Sequence, residues 1–148
     1  MRIVINGCFD NFHGGHRYLI SEALRYARGG YVFIFINDDN SVTSLKGEDR
    51  PIVKCKDREE AVNDYTNLWS SVEHEYPNVQ VLSFSREEDL AYLIDRAQPD
   101  MIIKGNDRTE VKEIVGSDKW PVLIIPRIKD NDGVDISTTN ILKENMDD

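Results

Sequence analysis

Cysteine is nearly missing from these 148 residues: Cys8 and Cys55 stand far apart, and neither has the CxxC or Cys/His company that builds a zinc site. Reduced, mostly buried thiols with no chemistry of their own are expected. Basic residues are also few, 18 Lys and Arg against 27 Asp and Glu, for a formal net charge of −9. Nucleic-acid binders draw their affinity from clustered Lys and Arg, so this balance argues against a DNA or RNA partner. An anionic ligand would have to be held by a local site. No apolar run approaches the roughly 20 residues that span a bilayer, so membrane insertion is not expected. The opening Met1-Arg2-Ile3-Val4-Ile5-Asn6 lacks the basic and long apolar regions of a secretory signal, which points to a cytoplasmic setting. Internal repeats, low-complexity tracts and linkers are missing too. A single domain over residues 1–148 is therefore expected, with a polar tail from Lys143 to Asp148 that frays.

What is present is an alternation. Arg2 to Asn6, Tyr31 to Ile36, Val79 to Phe84, Met101 to Ile103 and Val122 to Ile125 are short, β-branched and nearly continuous in hydrophobicity, as in a parallel sheet covered on both faces. Helical spacing separates them. Tyr18, Leu19, Ala23, Leu24 and Ala27 recur at three- and four-residue intervals before the stop at Gly29-Gly30. A second helix is predicted from about Lys56 to Glu75, opened by Asp57, with Ala61, Tyr65, Leu68 and Val72 on one stripe. A third opens at Ser85, has Glu88 at capping-box distance, carries Leu90, Leu93, Ile94 and Ala97, and ends at Pro99. Such alternation predicts a doubly wound α/β sheet, in which ligands bind beyond the carboxyl ends of the strands.

The unusual residues fall at those ends. Asn6-Gly7-Cys8-Phe9-Asp10 closes the first strand, and Asn11-Phe12-His13-Gly14-Gly15-His16 leads into the first helix. Three glycines allow a sharp turn and close approach of a ligand, and a helix start offers N–H groups to phosphate oxygens. His13 and His16 project to the same side, where both can donate to one triphosphate. As a metal site the pair lacks third and fourth ligands at suitable spacing. As a general acid/base pair it would supply only a small part of phosphoryl chemistry, where positioning and charge stabilisation dominate.

Gly7-Cys8-Phe9-Asp10 with His13-Gly14-Gly15-His16 resembles the GxFD…HxGH signature of the cytidylyltransferase-like nucleotidyltransferases. The resemblance implies a Rossmann-like five-stranded sheet of order 3-2-1-4-5. It also implies nucleotide contacts from Gly7, Cys8, Phe9, Asp10 and Gly15, with Asp10 more a structural carboxylate than a metal ligand. His13 and His16 would then hold the triphosphate and stabilise the pentacovalent transition state at the α-phosphorus. Leu45-Lys46-Gly47-Glu48-Asp49-Arg50-Pro51 is similar to the family's KGxxRP loop, which brings a lysine, here Lys46, to the phosphates. Lys104-Gly105-Asn106-Asp107 resembles the KGxDY segment of the nucleotide pocket, with Arg108 where an aromatic residue is typical; Lys104, Gly105 and Asp107 are carried over. Asp135 to Lys143 opens a last helix similar to the family's ISTT element, whose Ser137, Thr138 and Thr139 would grip the β- and γ-phosphates. Asp132 stands where glycerol-3-phosphate cytidylyltransferases have an arginine.

Within the family the motifs are most similar to the heptose 1-phosphate adenylyltransferase domain, although Asp64 to Asn78 is longer than usual there. The expected reaction moves a nucleotidyl group, ATP favoured, onto a phosphorylated sugar and releases pyrophosphate. Magnesium would ride on the substrate phosphates, with no dedicated protein ligands, and a homodimer is implied. Two alternatives are a CTP-dependent enzyme acting on glycerol 3-phosphate or another alditol phosphate, and an inactive nucleotide-binding module.

Overall fold

A computed structural model describes residues 1–71, 75–106 and 110–126. In chain order the elements are β1 (Arg2–Gly7), α1 (Gly14–Ala27), β2 (Tyr31–Asn37), α2 (Asp39–Lys46), α3 (Cys55–Ser70), β3 (Asn78–Phe84), α4 (Glu87–Ala97), β4 (Met101–Gly105) and β5 (Val122–Ile125). A single 3-10 turn, Val111–Glu113, lies between the last two strands. The strands form one sheet of order β3-β2-β1-β4-β5, every pairing parallel, as the sequence led one to expect.

Alternation along β1 divides the core. Ile3 and Ile5 join Val32, Ile34 and Ile36 of β2 beneath α1 and α3, through Ile20, Ala23, Leu24 and Val62. Val4 points the other way, with Phe33, Phe35 and Ile102, onto Leu90 and Ile94 of α4. Ile3, Val4 and Ile5 are fully buried, each worth roughly 1.5–3 kcal/mol relative to exposure. Helix α1 ends at Arg28 in the left-handed region (φ 48°), and Gly30 then turns into β2 hard against the main chain of Met1. A side chain at position 30 would collide with that backbone, so the αβ turn depends on glycine.

Several boundaries and faces differ from the sequence reading. Strand β3 is an edge, alternately exposed along its length instead of covered on both faces. Helix α3 starts at Cys55 and turns Arg58, Val62 and Thr66 inward, so the stripe through Ala61 and Leu68 is misplaced, and Leu68 is 66% exposed. Val72 of that stripe is outside the described residues. Helix α4 starts one residue later than the Ser85/Glu88 reading: the Asp89 carboxylate accepts from the Arg86 N–H at 3.3 Å. Helix α2 has no counterpart in the sequence reading. Strand β4 takes in Lys104 and Gly105, which the sequence placed just after it. Both cysteines are free and half-buried, and burial pushes both thiols up, leaving them protonated near neutrality. The last helix read at Asp135 to Lys143 and the tail beyond it lie outside the described residues.

Candidate active site

Because the strands are parallel, Gly7, Asn37 and Gly105 all close at one edge of the sheet. Strands β1 and β4 are neighbours whose connections depart in opposite directions, to β2 and to β5. Open α/β sheets bind ligands in the crevice at such a point. The sequence-selected residues that are described gather around it.

The turn out of β1 is made differently from the glycine-based expectation. Its left-handed residues are Phe9 (φ 51°) and Asn11 (φ 52°), not Gly7, Gly14 or Gly15. Phe9 is buried and its ring lies 3.4 Å from where a Cβ on Gly7 would stand, so Gly7 makes room for the ring. The Cys8 carbonyl oxygen accepts from Arg58 Nη1 at 2.7 Å.

His13 is the N-cap of α1. Its Nδ1 accepts from the Gly15 N–H at 3.0 Å, and His16 Nδ1 accepts from the His13 N–H at 3.2 Å. The two histidines thus perform the reciprocal capping that Ser/Thr and Glu/Gln usually provide. Their rings stack with centroids 3.8 Å apart, and His16 is also flanked by Phe9 and Phe12. A nitrogen that accepts carries no proton, so each neutral ring has its donor at Nε2. Burial, with His13 and Lys46 alongside, lowers the His16 pKa to about 3, which keeps that ring neutral at pH 7.

Lys46 is the last residue of α2 and is exposed. Helix α2 forms there because Asp38 caps it, accepting from the Ser41 N–H at 2.8 Å, and Val42 anchors its inner face. The charge of Lys46 is felt at both His16 and Cys8. Lys104 points Nζ at the end of β1, 3.2 Å from Asn6 Oδ1 and 3.4 Å from Asn6 O. A Cβ on Gly105 would meet nothing within 4 Å among the described residues. Asp107, Ser137, Thr138 and Thr139, and the departures at Arg108 and Asp132, fall outside the described residues.

Two arginines organise this edge, and the sequence reading gave neither of them a role. Arg58 is 1% exposed and spends its guanidinium on Val53 O, Cys8 O, Asn37 O and Asp39 Oδ1, all at 2.7–2.8 Å. It ties the ends of β1 and β2 to the start of α3. Arg50 donates from Nε to Asp10 Oδ2 at 3.0 Å, and Asp10 also accepts from the N–H groups of Ile52 and Val53. Burial pushes the Asp10 carboxyl up, but these donors outweigh it and hold it below its usual range. Asp10 therefore fastens one loop to another. The signal for Arg58 was its spacing, four and eight residues before Val62 and Thr66 on one helical face.

Comparison with known proteins agrees with this fold. Residues 4–144 match the family model described as Cytidylyltransferase-like. The Bifunctional protein HldE of Coxiella burnetii is 35% identical over 118 residues, covering 79% of this chain and 22% of that protein. The Bifunctional protein HldE of Aliarcobacter butzleri is 34% identical over 141 residues, covering 95% of this chain and 26% of that one. The chain thus spans about a quarter of the length of the curated relatives it matches. The crystal structure of pantothenate synthetase from Thermus thermophilus superposes with a TM-score of 0.64 at 13% identity, covering 95% of this chain and 61% of that one. That last likeness is one of fold.

Proposed function

The chain belongs to the cytidylyltransferase-like family of nucleotidyltransferases, and on that premise we propose that it moves an adenylyl group from ATP onto a sugar 1-phosphate of the heptose type. The observation that carries this reading is the pair of imidazoles stacked 3.8 Å apart at the start of α1, each with Nδ1 engaged and Nε2 as donor. Two neutral donors side by side, with Lys46 near, suit a polyphosphate better than a proton shuttle.

In this reading a phosphate oxygen of the acceptor attacks the α-phosphorus in line. The new P–O bond forms as the bond to the β-phosphate oxygen breaks, and pyrophosphate leaves with that electron pair. The nucleophile is already anionic at neutral pH and needs no base. His13, His16 and Lys46 meet the charge that builds on the non-bridging oxygens. Their placement before the reaction is the source of the rate. Among the described residues no group of three His, Cys, Asp or Glu stands together as a metal cage. Magnesium would enter on the triphosphate, because this cation binds largely through substrate phosphate oxygens, and it would neutralise phosphate charge there. The preference for ATP and for heptose 1-phosphate rests on the LKGEDRP, IIKGND and STTNILK segments.

Pyrophosphate release with ATP and CTP, each offered heptose 1-phosphate and glycerol 3-phosphate, tests the proposal. Release with ATP and the sugar phosphate is expected. Turnover only with CTP and glycerol 3-phosphate would transfer the assignment to the alditol-phosphate reading, and tight triphosphate binding with no turnover on any acceptor would favour a regulatory module.

A further inference from the structure

Asp10 is an acid in a corner of cations. It lies three residues before His13, it is 1% exposed, and the Arg50 guanidinium lies against it, while the charges of Lys46, Arg58 and Lys104 act together with its own on Cys8 two residues earlier. A carboxylate beside a triphosphate site weakens binding through its charge alone. Its hydrogen bonds show what it does instead. Asp10 accepts from Arg50 Nε at 3.0 Å, from the Ile52 N–H at 2.8 Å and from the Val53 N–H at 2.9 Å.

The same loop is tied back to α2 at its other end. The Arg50 N–H donates to Gly47 O at 3.1 Å, Thr43 Oγ1 donates to Arg50 O at 2.6 Å, and the Gly47 N–H donates to Thr43 O at 2.9 Å. Lys46 sits between Thr43 and Gly47, inside this set of ties. Arg50 Nη2 is buried with no hydrogen-bond partner among the described residues, so the guanidinium grips Asp10 by one prong. Asp10 itself is bracketed by Phe9 and Asn11, both left-handed. A bulky residue keeps such a backbone only where its surroundings hold it.

We propose that Asp10 and Arg50 form a positioning pair: they fasten the 47–53 loop to the histidine-bearing loop and so aim Lys46 at the phosphates held by His13 and His16. This rests on the triphosphate-binding part of the function proposed above. The pair touches no reacting atom; it acts through Lys46.

The sign of one substitution separates positioning from plain charge. Asp10→Asn removes a negative charge, so a purely electrostatic role tightens ATP binding, whereas a positioning role weakens it. Measured by calorimetry at pH 7, the ATP dissociation constant of Asp10→Asn is expected to rise roughly tenfold, the scale of coupling between contacting groups. In a Lys46→Ala background the same change is expected to add almost nothing. Arg50→Lys keeps the charge but loses the directed Nε–H, and it is expected to repeat both results if Asp10→Asn does not fold. Tighter binding by Asp10→Asn, or a full tenfold loss by either variant after Lys46 has been removed, overturns the proposal. Wild-type protein that binds ATP but shows no turnover leaves this coupling measurable. Wild-type protein that binds no ATP defeats the parent reading, and this one with it.

Discussion

His16 carries two duties that a single substitution can separate. Its Nδ1 caps the His13 N–H while its other nitrogen is the proposed phosphate donor. Glutamine at the third helical position can accept from the cap N–H just as a capping box does. His16→Gln should therefore melt close to the wild type while pyrophosphate release falls ~10²–10³-fold, the usual cost of one preorganised donor. An active Gln variant, or one that loses activity only by unfolding, contradicts the assignment. The depressed pKa adds a pH dependence whose sign is set by linkage. Folded His16 refuses a proton until about pH 3, but the unfolded chain takes it near the ordinary value of 6.5. The unfolded state thus binds more protons between those limits. Stability from keeping His16 neutral is complete above about pH 6.5 and shrinks as the pH falls toward 3. Urea unfolding of wild type and His16→Gln at pH 7, 5 and 4 should show the wild type losing the more on acidification; parallel curves would argue against a buried neutral ring.

Helix α3 is held to the site by a charge that points inward. Removing the Arg58 side chain strands the carbonyls of Cys8, Asn37 and Val53, and it also breaks the pair with Asp39, which is 45% exposed and so contributes the smaller share. Arg58→Met should cost about 3–5 kcal/mol in urea unfolding, the range for breaking a buried charged network. Arg58→Lys, with fewer donors in a different geometry, should recover only part. A loss under 1 kcal/mol for Arg58→Met would show that these contacts are dispensable. This arginine is also why α3 was hard to orient from sequence. Apolar residues occur on both sides of the helix, and the inward face was marked by a residue type that is usually outside. Helix α2 was illegible for another reason: it has eight residues and one buried side chain, Val42, too little periodicity to register. By contrast α1 announced itself through its repeated apolar spacing, and the histidines at its start were legible as ligand candidates; that they also cap the helix was not.

The molecule as a whole is acidic, with a net charge of −9, yet Lys46, Arg50, Arg58 and Lys104 converge on the carboxyl edge of the sheet. Local aim replaces bulk charge. Raising salt from 50 to 200 mM should therefore weaken ATP binding only several-fold, whereas a protein making 6–10 phosphate contacts on duplex DNA loses ~10³–10⁵ over that range. Calorimetry at the two ionic strengths checks this, and a loss of a thousandfold would point to a long phosphate track instead. A doubly wound parallel sheet could be foreseen because continuous apolar strands separated by helices leave few architectures open, whereas its order came from the resemblance of the motifs to the family. The exposure along β3 was missed because its residues were read as one continuous buried run, although the expected order already put that strand at an edge. The most direct test of the proposed site is a crystal structure with a non-hydrolysable ATP analogue and magnesium. The expected result is a triphosphate over the start of α1, with Nε2 of both His13 and His16 and Nζ of Lys46 within hydrogen-bonding distance of its oxygens. A triphosphate bound elsewhere, with both imidazoles out of reach, would contradict it.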